Sequence, residues 1–180
     1  MRSGLSACLL AAGLSLAGGS AAYAWETVHQ EPAEFLGQQL PGCRQQALWL
    51  TREVKTRAEE LIEHPYPGVR VRYCAADGKT AWILDEIGKT EPITSGVVVA
   101  DGHIESVRVL VFRESRGGEV HRDAFTRQFT RASLQPDGKL DLPIDGITGA
   151  TLSVQALKRQ AKLALYLDSV VRKAEPGVSP

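Results

Sequence analysis

The run Asp145-Gly146-Ile147-Thr148-Gly149-Ala150-Thr151-Leu152-Ser153 gathers the side chains with most chemistry to offer. Gly146 and Gly149 free the backbone for conformations closed to other residues and let a ligand approach it closely. Thr148, Thr151 and Ser153 set hydroxyls around the unsatisfied N–H groups of a helix's first turn, where the dipole also favours an anion such as a phosphate. The same residue types describe an ordinary helix cap, worth about 1 kcal/mol. The run is neither a Walker A loop, because no Gly-Lys-Ser/Thr follows, nor a GxGxxG turn. An unactivated threonine or serine hydroxyl is by itself a poor nucleophile.

The elements that must position this loop follow from periodicity. Glu34–Gln39 reads as a short helix stopped by Leu40-Pro41-Gly42. Arg44–Glu63 reads as one longer helix, with Ala47, Leu50, Val54, Ala58 and Leu61 on a stripe and charged residues opposite, ended by His64-Pro65-Tyr66-Pro67-Gly68. The pattern then changes to period two. Val69–Cys74, Thr80–Ile87, Ile93–Ala100 and Ile104–Phe112 read as strands, with tight turns at Asp77-Gly78 and Asp101-Gly102. A polar loop over Arg113–Val120 leads to a short helix over His121–Phe129, then to a turn at Gln135-Pro136-Asp137-Gly138. The last helix is expected over Leu152–Arg172. The expected fold class is α+β: an antiparallel β-meander packed with helices, ending in an amphipathic helix directly after the loop.

Asp145 to Thr151 resembles the flavinylation motif of the FMN-binding domain family, which occurs in the FMN-bearing subunits of Rnf and sodium-translocating NADH:quinone reductase complexes and in small exported proteins. The family pattern is Asp, two variable residues, Ser or Thr, Gly, Ala and Thr, and Asp145, Thr148, Gly149, Ala150 and Thr151 fill every fixed position. The resemblance implies FMN esterified through its phosphate to the Thr151 hydroxyl. It further implies attachment outside the cytoplasm by a magnesium-dependent flavin transferase that uses FAD as donor. Gly146 and Leu152 complete the implied cofactor loop. The strand Ile104–Phe112, a loop carrying Glu114, and the pair Phe125 and Phe129 resemble the family's upstream arrangement, so that Glu114 and Arg116 are candidates to reach the ring or the phosphate. Asp145 orients the loop, helps hold the transferase's metal, or simply caps a turn. His121 is a candidate to tune the flavin, and Tyr66, Trp49 and Trp82 are candidates to stack on it; packing is the plainer role of each. Lys158 and Arg159 read as a solvated face.

Composition bounds the remaining classes. The chain has 180 residues, with 21 Lys+Arg balancing 21 Asp+Glu and 6% aromatics, so no basic-aromatic stripe points to nucleic acid. Residues 1–24 read as a signal peptide: Arg2, an apolar run from Leu5 to Leu16, then Ala22-Tyr23-Ala24 as the cleavage site. The run is shorter than the ~20 residues a spanning helix needs, which argues against an uncleaved anchor. A periplasmic or otherwise extracytoplasmic protein follows, with at most peripheral membrane attachment. Removal of Cys8 leaves Cys43 and Cys74, for which a structural disulfide is preferred to a redox or metal pair in an oxidising compartment. The expected division is a signal peptide at 1–24, an N-terminal helical segment at 25–68, the FMN-binding domain at 69–172 and a flexible tail at 173–180. The expected function is electron transfer to or from a membrane or periplasmic redox partner, with no catalytic residues and no metal of its own. Two alternatives stand beside it: an exported binding or regulatory module without flavin, and a flavin-dependent reductase with its own substrate.

Overall fold

A computed structural model describes residues 26–174. The expected signal peptide, and the expected tail beyond Ala174, lie outside the described residues.

The element order is β1 (Thr27–Val28), α1 (Pro32–Gln39), β2 (Arg44–Trp49), α2 (Arg52–Ile62), β3 (Arg70–Ala76), β4 (Lys79–Ile87), β5 (Pro92–Ala100) and β6 (His103–Phe112). After β6 come a 3₁₀ turn (Gly118–His121), α3 (Asp123–Thr126), a second 3₁₀ turn (Arg127–Phe129) and α4 (Thr151–Ala174). The strands form one six-stranded antiparallel sheet in the order β1-β6-β5-β4-β3-β2. The fold is therefore α+β, with the expected four-strand meander at its centre. Both Asp-Gly pairs take positive φ at each residue, the primed turn whose twist suits a two-residue hairpin.

The expectation for Arg44–Glu63 is corrected. The single helix expected over Arg44–Glu63 is a strand, β2, followed by a helix, α2. Thr51 caps α2 by accepting from the Val54 N–H at 3.3 Å, and the preceding six residues pair with β3 from Arg44↔Ala75 to Trp49↔Arg70. Ala47 and Leu50 sit at helical spacing by coincidence. What decides the conformation is the β3 edge, which offers a ladder that the residues alone do not reveal. Residues 25–68 are consequently no separate helical segment, because β1 and β2 are the two edges of the same sheet. The Cys43–Cys74 disulfide joins the start of β2 to β3, with Cα atoms 5.6 Å apart.

α4 lies across one face of the sheet beside α2, and Leu157, Ala161, Ala164 and Leu165 are buried against Trp82, Leu84, Val97 and Val107 in the main core. α1 covers part of the other face through Phe35 and Leu40, with Val98 and Leu110. A buried side chain ties α4 to the sheet: Gln160 donates to the carbonyls of Leu84 and Ile93, both at 2.8 Å, and accepts from the Ser95 hydroxyl at 2.8 Å. Helix α4 is thereby fixed in position along β4 and β5, and its N-terminus is held at the end of the sheet where β4 and β6 finish. His121–Phe129 is not one short helix but two 3₁₀ turns around a single α-turn, with Phe125 and Phe129 buried edge to face at 5.7 Å.

Candidate functional site

Three apolar residues at a spacing of three hold the loop before α4. Ile144 and Ala150 are buried and Ile147 packs on the main core, leaving Asp145, Gly146, Thr148, Gly149 and Thr151 exposed. The Ala150 N–H donates to the Ile147 carbonyl at 2.9 Å, and the Ala150 carbonyl accepts from Val154 at 2.9 Å, so Ala150 stands at the cap position of α4. A methyl group cannot accept a hydrogen bond. The first-turn N–H groups of α4 therefore have no capping side chain there, which is the arrangement an anion can complete. Gly149 has φ +82°, a region L side chains rarely adopt, and so turns the chain between Thr148 and Ala150. Gly146 has no such φ, and the conformational freedom expected of both glycines is used only at Gly149.

Thr151, the first residue of α4, faces a cleft of about 620 Å³ lined by Lys89, Glu114, Ser115, Arg116 and residues 149–153. A second cleft, sharing Ser115, Arg116 and Gly149, continues past Thr148 to His121 and Arg122. The structure thus brings together Thr148, Gly149, Ala150, Thr151, Leu152, Glu114 and Arg116 from two separate stretches of sequence.

Glu114 is buried, and its surroundings differ from those of a ligand-facing carboxylate. One oxygen accepts the N–H groups of Lys89, Thr90 (2.7 Å) and Glu91 (3.0 Å), and the other accepts the Thr90 hydroxyl at 3.3 Å. Burial alone would raise its carboxyl pKa, but the backbone N–H groups of Glu91, Thr90 and Lys89 and the Thr90 hydroxyl outweigh that and hold it below its ordinary value. Glu114 therefore pins the turn between β4 and β5 and with it Lys89 in the cleft wall. Asp145 donates its backbone N–H to the Gln128 side chain at 2.7 Å, while its exposed carboxylate takes no hydrogen bond or ion pair among the described residues. It does not cap a turn.

Two site residues lay beyond the sequence reading. Lys89 sits in a turn with no motif of its own and joins the site only through Glu114. Gly117 has φ +83°, and a Cβ there would lie 2.8 Å from the Ser153 hydroxyl oxygen and 3.2 Å from the Ala150 methyl. It lets the segment after β6 close over the head of α4, and its signal was the Gly117-Gly118 pair following Glu114.

The proposed aromatic stackers do not reach the cleft. Trp82 is buried, stacks on Tyr73 at 4.8 Å and donates to the Thr80 hydroxyl, which in turn donates to Asp168 at 2.6 Å. Trp49 is 64% exposed on edge strand β2, beneath the Arg70 guanidinium, and Tyr66 packs against the main core. His121 lines the second cleft and stacks on His29 at 4.2 Å. Arg159 is not on a solvated face: it pairs with the buried Glu86 at 3.2 Å and donates to the Ile87 carbonyl at 3.0 Å. Among the described residues no group of three or more metal-ligating side chains forms, and no helix is long and apolar enough to cross a membrane.

Residues 88–166 match the family model described as the FMN-binding domain. No curated protein and no solved structure matches the chain.

Proposed function

We propose, from the match of residues 88–166 to the FMN-binding domain family, that this chain is an exported electron-transfer flavoprotein carrying FMN as a phosphoester on Thr151. The observation that carries the reading is the head of α4. An exposed threonine begins the helix behind an uncappable alanine, at the mouth of a cleft walled by Lys89 and Arg116. The residues present suit the group. The first-turn N–H groups and the two cations would hold a phosphodiester, Gly149 and Ala150 keep the hydroxyl approachable by a transferase, and the cleft leaves room for a ring beside Glu114. When bound, FMN supplies one- and two-electron chemistry; the chain tethers, orients and partly shields it. Glu114, saturated by backbone N–H groups, serves that role by fixing the wall of the cleft.

Export follows from the expected leader at residues 1–24, and a covalent tether suits it, because a flavin lost outside the cytoplasm is not replenished from within. The expected partners are the transferase for maturation and a membrane or periplasmic redox protein for turnover.

The test is intact mass of the protein secreted together with an active flavin transferase. The expected result is an increase of FMN minus water, mapped by fragmentation to Thr151 and lost in Thr151→Ala. An unmodified mass, with the transferase active on a control substrate, would return the loop to an ordinary helix start and favour the flavin-free binding module.

A further inference from the structure

We propose that Lys89 and Arg116 are the charges that bind FMN in this cleft and make it easier to reduce, with Glu114 as the residue that positions Lys89. The inference rests on the reading of the cleft as the FMN site and adds to it which side chains set the flavin's affinity and potential.

The charged residues lining the cleft are Lys89, Glu114 and Arg116. The three do not weigh equally. Glu114 is 7% exposed and spends its charge on N–H groups of residues 89–91, which close around it. Lys89 and Arg116 are exposed and form no ion pair among the described residues. The uncapped first turn of α4 adds partial positive charge on the remaining wall. The cleft therefore presents positive potential to whatever sits beside Thr151, although the chain as a whole has a formal net charge of zero.

FMN suits that wall in both redox states. Esterified to Thr151 its phosphate is a monoanion. Two electrons from an external reductant and one proton from water convert the neutral ring to the anionic hydroquinone, so reduction adds one negative charge. Fixed cations nearby favour the product over the reactant. Lys89 holds its place because its backbone, and not its flexible stem, is fixed: the turn that carries it hangs on one carboxylate.

The experiment is spectroelectrochemical titration of the flavinylated protein, with dithionite as reductant, in wild type, Lys89→Gln, Lys89→Arg, Arg116→Gln, Glu114→Gln and the Lys89→Gln/Glu114→Gln pair. Lys89→Gln and Arg116→Gln are each expected to lower the equilibrium constant for reduction by about tenfold at low salt, about 30 mV for a two-electron couple. The shift should shrink in high salt, because exposed charges are screened, and Lys89→Arg should retain the wild-type potential. In the Glu114→Gln background, Lys89→Gln should shift the constant by less than about threefold, since the lysine is no longer held; a full shift there would overturn the positioning role.

A second readout needs no covalent bond: the affinity of the unmodified protein for free FMN, followed by flavin fluorescence, should fall about tenfold in the double variant Lys89→Gln/Arg116→Gln. Flavin on Thr151 with potential and affinity unchanged in these variants would overturn this inference alone. A wild-type protein that neither becomes flavinylated nor binds free FMN would sink the reading beneath it as well.

Discussion

At Gly149 the chain needs φ +82° with open space around the missing side chain, so an added methyl meets no neighbour and the cost is backbone strain alone. Gly149→Ala is expected to destabilise the protein by about 1 kcal/mol and to slow flavin attachment at Thr151, read by thermal melting and by the fraction carrying the FMN mass. Glu114 gives the opposite case, a residue whose surroundings are full. Glu114→Gln keeps one oxygen for the three N–H groups and can turn its amide to the Thr90 hydroxyl, but it loses the charge that strengthens those bonds, and a loss of about 1–3 kcal/mol is expected. The sign with pH follows from its depressed pKa. The contribution is complete above the ordinary value of 4.5 and is lost as pH falls through the lower folded value. Wild type should therefore lose stability on acidification below about pH 4.5 more steeply than Glu114→Gln, in denaturant titrations across that range.

At the scale of elements, the position of α4 rests on Gln160, one of three polar residues, with Ser153 and Asp168, that the helix buries. Its two donations and one acceptance satisfy the Leu84 and Ile93 carbonyls and the Ser95 hydroxyl in the interior. Gln160→Leu keeps the volume and strands these groups, so a destabilisation of about 2–3 kcal/mol is expected, measured by chemical denaturation of the oxidised protein. Because Thr151 is carried on the same helix, the variant should also reduce flavin occupancy under conditions where it remains folded. A variant as stable as wild type would mean that apolar packing along Leu157, Ala161 and Ala164, with the Thr80–Asp168 hydrogen bond, fixes the helix without Gln160. The short edge strand β2 shows the same dependence on partners: its conformation comes from the β3 ladder and the disulfide, and not from its own residues.

For the molecule as a whole, one buried carboxylate links three elements. Glu86 near the end of β4 is bound by His64, just after α2, at 2.9 Å and by Arg159 of α4 at 3.2 Å. Burial would lower the His64 pKa, but the bond to Glu86, with the Pro65 carbonyl, raises it above 6.5. Stability from this contact is complete below the ordinary histidine value and lost as pH rises through the raised folded value. His64 is 39% exposed, so solvent keeps the effect under about 1 kcal/mol. Wild type should soften from about pH 6.5 upward, while His64→Gln should show a flat profile there. Equal slopes in both proteins would assign the pH dependence to other groups.

Local residue patterns determined the meander from Arg70 to Phe112, its two Asp-Gly turns, the long last helix and the loop at its head, because period-two alternation, primed-turn residues and a helical stripe each act within a few positions. The family resemblance of Asp145–Thr151 was likewise legible, since the motif is contiguous. Only the tertiary structure decided that Arg44–Trp49 is a strand, that Glu114 holds a turn from within, and that Lys89 lines the same cleft as Thr151. Each of these depends on a partner between 21 and 62 positions away in sequence. A carboxylate that meets three N–H groups, or an edge that finds a ladder, gains free energy that no local window of residues contains.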